Sequence, residues 1–132
     1  MDNTKIIEEF RSHQGKVGGV FEHMSLLLMT TQGAKSGKEF VIPVVYTKEG
    51  DKYVIAASKG GAPTNPDWYY NLLNYPEVTI EVGSEKFQAR ATNITGEERE
   101  RLYEQHATQY PMFHGYKAKT TREIPVFVIE RI

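Results

Sequence analysis

Residues 57–69 constrain the fold and chemistry of this chain more than any other segment. A strand-like run over residues 52–58 ends in a Ser-Lys pair and is followed by two glycines. A helix is then predicted with Asn65 as its N-cap and Pro66 in its first position. Such a strand-to-helix corner offers backbone N–H groups, a lysine and a hydroxyl, and its glycines admit another molecule close to the main chain. Taken alone, the corner is equally compatible with an ordinary glycine-containing loop.

The hydrophobic pattern predicts a small, mainly antiparallel β-barrel with helical additions, an α+β fold. The six predicted strands cover residues 25–31, 39–47, 52–58, 78–82, 85–93 and 124–129. The three predicted helices cover residues 3–14, 66–74 and about 95–108, the last opened by a capping box at Thr95 and Glu98. Pro43 removes a donor from the second strand, which places that strand at a sheet edge or a bulge. The whole chain, 1–132, is predicted to be one domain, with an N-terminal helix and flexible connection over residues 1–19.

Composition excludes several classes of function. The net charge is −1, which gives no electrostatic indication of a nucleic-acid partner. There is no cysteine, so disulfides and thiolate catalysis are excluded, and a cytoplasmic location is expected. The four histidines lack metal-ligand spacing, and no metal site is predicted. The longest apolar run, residues 26–29, is far too short to cross a bilayer.

Residues 33–38, Gly-Ala-Lys-Ser-Gly-Lys, superficially resemble a phosphate-binding P-loop. Three residues rather than four separate the glycines, Glu39 replaces the hydroxyl residue, and a strand rather than a helix is predicted to follow, so a Walker-type site is rejected. The turn still offers Lys35, Ser36 and Lys38 as contacts for an anion. A solvated hairpin tip with lysines for solubility is the alternative.

Aromatic residues recur at steps of three in the segment over residues 110–116, which proline and glycine interrupt. This pattern favours an irregular lid over the site, with a role in the core as the alternative. Trp68, at the start of the second predicted helix, either packs inward or stacks on a planar ligand.

Two motifs, LMTTQGAKSG over residues 28–37 and ASKGGAPTNPDWYYNL over residues 57–72, closely resemble the deazaflavin-dependent nitroreductase family. The closing segment, residues 110–125, is also similar, and the resemblance extends from Gly18 to the end of the chain. It implies a split β-barrel of the FMN-binding-protein type. It also implies coenzyme F420, an 8-hydroxy-5-deazaflavin with a phosphate and an acidic tail. The implied activity is hydride transfer from reduced F420 to a quinone, enone or nitroaromatic acceptor.

The resemblance also implies roles for individual residues. The implied cofactor-binding residues are Lys35, Ser36, Lys38, Pro43, Ala57, Ser58, Lys59, Gly60, Gly61, Ala62, Asn65, Trp68 and Asn71. The implied substrate-binding residues are Tyr110, Phe113 and Tyr116. The implied catalytic donors are Ser58, Tyr110 and Tyr116. The chain departs from the family at Ala34 and Phe40, where arginine is common, and this departure is expected to weaken the grip on an anionic tail.

Two other functions stay open at this point: an FMN-dependent reductase on the same fold, and a non-catalytic deazaflavin-binding protein. The resemblance to this family also suggests a homodimer, and a peripheral membrane contact through the N-terminal helix. Glu8 and Glu9 argue against strong attraction of that helix to anionic lipid.

Overall fold

The computed structural model describes residues 3–132. Over that range it contains seven β-strands and four α-helices. The strands are β1 Leu26–Gln32, β2 Glu39–Val45, β3 Thr47–Glu49, β4 Lys52–Ala56, β5 Glu77–Val82, β6 Glu85–Ile94 and β7 Val126–Arg131. The helices are α1 Thr4–Ser12, α2 Asp67–Asn74, α3 Gly96–Gln109 and α4 Met112–Lys119. Among the described residues, no helix is long and apolar enough to cross a membrane.

The strands form one antiparallel sheet in the order β2-β1-β5-β6-β7-β4-β3. β2 and β3 lie at opposite edges of this sheet, although only Tyr46 separates them along the chain. The sheet must therefore curl until its two edges approach each other, which makes it a half-barrel. The predicted α+β split barrel is confirmed. The single strand predicted over residues 39–47 is divided at Tyr46, which gives seven strands rather than six.

The closure of the barrel is held by the hydroxyl of Tyr110. This hydroxyl donates to the carbonyl of Tyr46 at 3.0 Å and accepts from the N–H of Ser25 at 3.1 Å and the side-chain amide of Gln109 at 3.0 Å. The N–H of Tyr46 in turn donates to the carbonyl of Ser25 at 2.9 Å. Tyr110 thereby ties the pivot between β2 and β3 to the residue that precedes β1.

Pro43 lies in the middle of β2, opposite Leu28 of β1. β2 pairs with β1 alone, so the outward side of Pro43 lacks a strand partner and its missing N–H leaves the β1–β2 ladder intact. The predicted edge position of this strand is confirmed.

Three hydrophobic clusters support the fold. The first fills the barrel and includes Leu27, Ile55, Ile80, Phe127 and Ile129. A second cluster lies between the barrel and helices α3 and α4, and a third lies under α1 around Phe10. The third also holds Val17, so the connection after α1 is anchored to the barrel by a buried side chain.

The start of α2 and the capping of α3 differ from the prediction. Helix α2 begins at Asp67 after an extended Pro66, and the side chain of Asn65 accepts a hydrogen bond from Arg122 rather than capping the helix. Thr95 does precede α3, but its side chain makes no capping hydrogen bond.

The lid predicted over residues 110–116 is largely helical, because Pro111 starts α4 and Gly115 does not end it. Proline suits the first turn of a helix, and an internal glycine costs only about 1 kcal/mol relative to alanine. Packing of Phe113 against α3 offsets that cost, since the hydroxyl of Tyr103 donates to the carbonyl of Phe113 at 2.6 Å. The prediction of an irregular lid was wrong.

His106 of α3 is completely buried beneath Phe113. Its Nδ1 atom is hydrogen-bonded with the hydroxyl of Thr47 at 2.9 Å, and its Nε2 atom has no partner among the described residues. Burial disfavours the charged imidazolium and lowers the pKa of His106 to about 4. The ring is therefore neutral at physiological pH.

This burial predicts a specific loss of stability in acid. The pKa of His106 is lower in the folded protein than in the unfolded chain. The contribution of the neutral, buried ring to the free energy of unfolding is therefore complete above about pH 6.5 and is lost as the pH falls towards 4. The loss amounts to up to about 3 kcal/mol of unfolding free energy. Denaturant unfolding between pH 7 and 4 should show this dependence in the wild type and a shallower one in His106→Gln. The exposed histidine variant His114→Gln should follow the wild type, and equal slopes in all three proteins would contradict the assignment.

Candidate functional site

Two cavities lie along β2, on either side of the first turn of α2. We call them the hairpin cavity and the corner cavity. The hairpin cavity, about 700 Å³, is lined by Asn3, Gly33, Ala34, Lys35, Ser36, Phe40, Val41, Ile42, Asp67, Tyr70 and Asn71. The corner cavity, about 230 Å³, is lined by Phe21, Pro43, Val44, Val45, Ala56, Ser58, Lys59, Gly60, Pro66, Trp68, Met112, Phe113 and Tyr116. Since residues 40–42 and 43–45 of one strand form their walls, the two cavities are neighbouring parts of one groove.

The hairpin cavity is shaped by the turn between β1 and β2. The N–H of Gly33 donates to the carbonyl of Lys38 at 2.7 Å, and the N–H of Gly37 donates to the carbonyl of Gly33 at 2.9 Å. Asn71 fixes this turn to α2, because its Oδ1 accepts from the N–H of Ala34 at 2.9 Å and its Nδ2 donates to Thr31 at 3.3 Å. The turn is a hairpin and not a P-loop, as the sequence predicted.

The side-chain charges of the hairpin cavity nearly cancel. Lys35 and Asp67 both line it, and the hydroxyl of Ser36 lies beside them. Lys38 is exposed and does not line the cavity, although its N–H donates to Ser36 Oγ at 3.2 Å. Ala34 and Phe40 are uncharged, whereas the deazaflavin-dependent nitroreductase family that the sequence resembles often has arginine at these two positions. An anion bound here would have one nearby lysine and one opposing carboxylate.

Part of the segment between β4 and α2 lines the corner cavity. Lys59 and Gly60 both have positive φ angles, 48° and 64°, in a single 3₁₀ turn over Lys59–Gly61. The N–H groups of these two residues donate to no acceptor among the described residues. A Cβ atom at Gly60 would meet no atom within 4 Å, so the main chain is open to another molecule there. Consecutive backbone N–H groups in this conformation favour an anionic or carbonyl oxygen.

Gly61 has a different role from the predicted contact with a ligand. A Cβ atom at Gly61 would lie 2.9 Å from the carbonyl oxygen of Tyr116 and 3.0 Å from Cβ of Lys119. The close approach that Gly61 permits is therefore made by α4 of the same chain. Two neighbours are also used internally, since the N–H of Ala57 donates to Pro125 at 2.8 Å and that of Ala62 donates to Lys59 at 3.2 Å.

Aromatic side chains form the wall opposite the corner. The rings of Phe113 and Tyr116 pack edge to face with centroids 5.2 Å apart. Trp68 is mostly buried, with its ring centroid 6.0 Å from that of Phe127, so it packs inward while one edge reaches the cavity. Tyr110 does not line either cavity, and its hydroxyl is fully engaged at the barrel closure. Its position does not support the predicted role as a catalytic donor or substrate contact.

Arg122 is the site residue that sequence reasoning missed. Its guanidinium donates to the carbonyls of Ala57, Ser58 and Ala62 and to the side chain of Asn65. Arg122 lies about sixty residues after the corner, in a short segment without a motif, and no local sequence signal marks it.

The groove fits a flat molecule with an acidic extension. The corner cavity combines open main chain and unengaged N–H groups with an aliphatic wall at Pro43, Val44 and Val45. The adjoining hairpin cavity offers more volume, with the ammonium of Lys35 and the hydroxyl of Ser36 beside the carboxylate of Asp67. Together the fold and the groove define a split-barrel protein that binds a ring-bearing, anionic cofactor.

Comparison with known proteins makes this class specific. Residues 4–131 match the model of the F420H(2)-dependent quinone reductase family. A Mycobacterium tuberculosis protein named F420H(2)-dependent quinone reductase is 37% identical over 130 residues, which cover 92% of this chain and 85% of that protein. A solved F420-H2 dependent reductase shares 40% identity and a TM-score of 0.74, covering 80% of this chain and 94% of its own. A second solved chain, described as a domain-swapped dimer, shares 36% identity and a TM-score of 0.75, covering 98% and 100%.

The chain therefore belongs to the F420H(2)-dependent quinone reductase family. It is an F420-dependent oxidoreductase, and the family, fold and cofactor that its sequence motifs implied are confirmed.

The hairpin cavity allows a test with a matched pair of lysines. Lys35→Ala should weaken binding of F420 roughly threefold at low salt, because an exposed charge contact is lost, and less at high salt, because such contacts are screened. Lys38→Ala removes the same charge outside the cavity and should change the dissociation constant little. Fluorescence titration at two salt concentrations measures both, and equal weakening by the two variants would show that only net charge matters.

Proposed function

We propose that this protein reduces a quinone with a hydride from reduced coenzyme F420. The observation that carries the proposal is the corner cavity, whose lining combines open main chain at Gly60 and two residues with unengaged N–H groups with the aromatic side chains of Trp68, Phe113 and Tyr116. Family membership supports the same cofactor, and the name of the Mycobacterium tuberculosis relative supports a quinone as acceptor.

The residues present suggest how the cofactor is held. Ser58, Lys59 and Gly60 would border the rings on one edge, and Pro43 and Trp68 would form the apolar surface beneath them. Lys35 and Ser36 would receive the phosphate and the acidic tail in the hairpin cavity. Asn71 acts through the turn, since both ends of its amide are used to hold that turn against α2.

When bound, the deazaflavin supplies a hydride donor at one carbon of its ring system. The protein's contribution is to position the acceptor and to stabilise the negative charge that develops on its oxygen. Ser58 and Tyr116 are the hydroxyl donors that line the corner cavity, and we assign them this task. Among the described residues that line it there is no histidine or carboxylate, so the final proton comes from a hydroxyl, from Lys59 or from water.

The walls of the corner cavity favour a flat, largely apolar acceptor. Val44, Val45, Met112 and Phe113 are among its apolar lining residues. A quinone ring fits this chemistry because it is planar and carries oxygen acceptors on opposite edges. Enones and nitroaromatic compounds share the flat shape and a terminal oxygen, and they are the secondary acceptors of the proposal.

A homodimer is also proposed. A solved chain that matches nearly the whole length of this one is described as a domain-swapped dimer. The exposed side chains of Phe40 and Tyr70, which line the hairpin cavity, and of Leu73 provide apolar surface for such a contact. The cytoplasmic location and a peripheral membrane contact stay predictions.

The function is tested by following oxidation of reduced F420 in the presence of menadione. Turnover with F420, together with the absence of tight FMN binding, is the expected result. Tight binding of FMN alone would favour an FMN-dependent reductase. Binding of F420 without turnover of quinones, enones or nitroarenes would favour a non-catalytic carrier.

The role of Ser58 gives a sharper prediction. Ser58→Ala should lower kcat with menadione about tenfold, since one donor to the developing charge is lost, while the Kd for F420 stays within about twofold. Steady-state kinetics and a binding titration measure the two quantities separately. Ser84→Ala, in the exposed turn between β5 and β6, should behave as the wild type. An unchanged kcat in Ser58→Ala would remove this hydroxyl from the reaction.

A further inference from the structure

Arg122 holds the strand-to-helix corner without lining the corner cavity. Its Nη2 donates to the carbonyl of Ser58 at 2.7 Å, and its Nη1 donates to the carbonyl of Ala57 at 3.2 Å and to Asn65 Oδ1 at 2.7 Å. Its Nε donates to the carbonyl of Ala62 at 2.9 Å. One side chain thus binds both ends of the turn that borders the cavity.

The chain segment that carries Arg122 is itself held in place by hydrogen bonds. Arg99 is buried in α3 and donates to the carbonyl of Ile124 through Nε at 3.0 Å and Nη2 at 2.8 Å. The next carbonyl along the chain, that of Pro125, accepts from the N–H of Ala57 at 2.8 Å. The segment that follows Arg122 is therefore anchored to α3 at Ile124 and to the residue after β4 at Pro125.

The direction of these hydrogen bonds determines whether backbone N–H or C=O groups are available to the corner cavity. In a trans peptide the C=O and the following N–H point in opposite directions. Because the carbonyls of Ala57 and Ser58 point towards Arg122, the N–H groups of Ser58 and Lys59 point away from it. Both Ser58 and Lys59 line the corner cavity, and Arg122 does not. Arg122 thereby selects donors rather than acceptors for the cavity surface.

The charge of Arg122 is also unusual in this molecule. Arg11, Arg90, Arg99, Arg101 and Arg131 each form an ion pair with a glutamate. Among the described residues, Arg122 has no carboxylate partner and is held by carbonyl and amide oxygens alone. The four oriented acceptors match the fixed fork of a guanidinium and not the single ammonium of lysine.

We propose that Arg122 is a positioning residue for the cofactor ring: by binding the carbonyls of Ala57 and Ser58, it directs the following N–H groups into the corner cavity, where they donate to an oxygen of the ring. The inference rests on the proposed function. It also assigns Asn65 an indirect part, as a ligand of Arg122 and not of the cofactor.

The test uses the cofactor with and without its phosphate and acidic tail. Arg122→Lys and Arg122→Ala should each raise the Kd for the tail-less deazaflavin about tenfold or more, because the ring contacts lie at the corner. Lys35→Ala should leave the Kd for the tail-less compound unchanged. Arg131→Gln, which removes an exposed arginine paired with Glu85, is the control for loss of charge.

Chemical rescue separates positioning from general stability. Millimolar guanidinium should restore much of the lost affinity in Arg122→Ala and have no such effect on the wild type. If Arg122→Ala does not fold, as judged by its melting curve, Arg122→Lys decides alone, since it keeps the charge and loses the fork.

Wild-type affinity for the tail-less compound in a folded Arg122→Lys variant would overturn the inference. So would a folded Arg122→Ala variant whose lost affinity guanidinium does not restore. Failure of the wild type to bind either form of the cofactor would instead contradict the proposed function, so the two failures are distinguishable.

Discussion

The connection between β2 and β3 through the single residue Tyr46 is the constraint on which the rest of the structure depends. Two strands at opposite edges of a seven-stranded sheet cannot be one residue apart unless the sheet curls. Tyr110 maintains that closure with its hydroxyl. The curl brings β2 in front of the start of α2, and the groove with its two cavities lies between them.

The two cavities of the groove differ in whether main-chain groups or side chains provide their polar contacts. At the corner, the lining includes the main chain of Lys59 and Gly60, whose N–H groups donate to no acceptor among the described residues, and Arg122 holds the carbonyls of Ala57 and Ser58 just before them. In the hairpin cavity, by contrast, recognition of an anion depends on Lys35 with Asp67 nearby. This difference suggests that the ring is the better-held part of the cofactor in this chain. The charge missing at Ala34 and Phe40 would weaken the grip on the tail without disturbing the ring.

Much of this arrangement is predictable from local sequence. The alternation of apolar residues in β5 and β6 and the proline in an edge strand each have a local physical cause, and the structure confirms both predictions. Of the two glycines after β4, Gly60 leaves the main chain open as predicted, whereas the space at Gly61 is taken by α4. The motif around residues 57–72 was specific enough to identify the family and the cofactor. The lid over residues 110–116 was misjudged because its proline and glycine were weighed as helix breakers, whereas packing of Phe113 on Tyr103 and His106 stabilises a helix there. Gly61, Tyr110 and Arg122 owe their roles to partners 55 to 85 residues away, and no local pattern encodes such contacts.

The central claim is that the deazaflavin ring binds in the corner cavity, against the main chain of Lys59 and Gly60. A crystal structure of the protein with oxidised F420 tests it most directly. We expect a ring oxygen within hydrogen-bonding distance of the N–H of Lys59 or Gly60, one ring face against Pro43 and Trp68, and the tail directed towards Lys35. A ring bound elsewhere, or a corner filled by the protein's own side chains in the presence of saturating cofactor, would contradict the account.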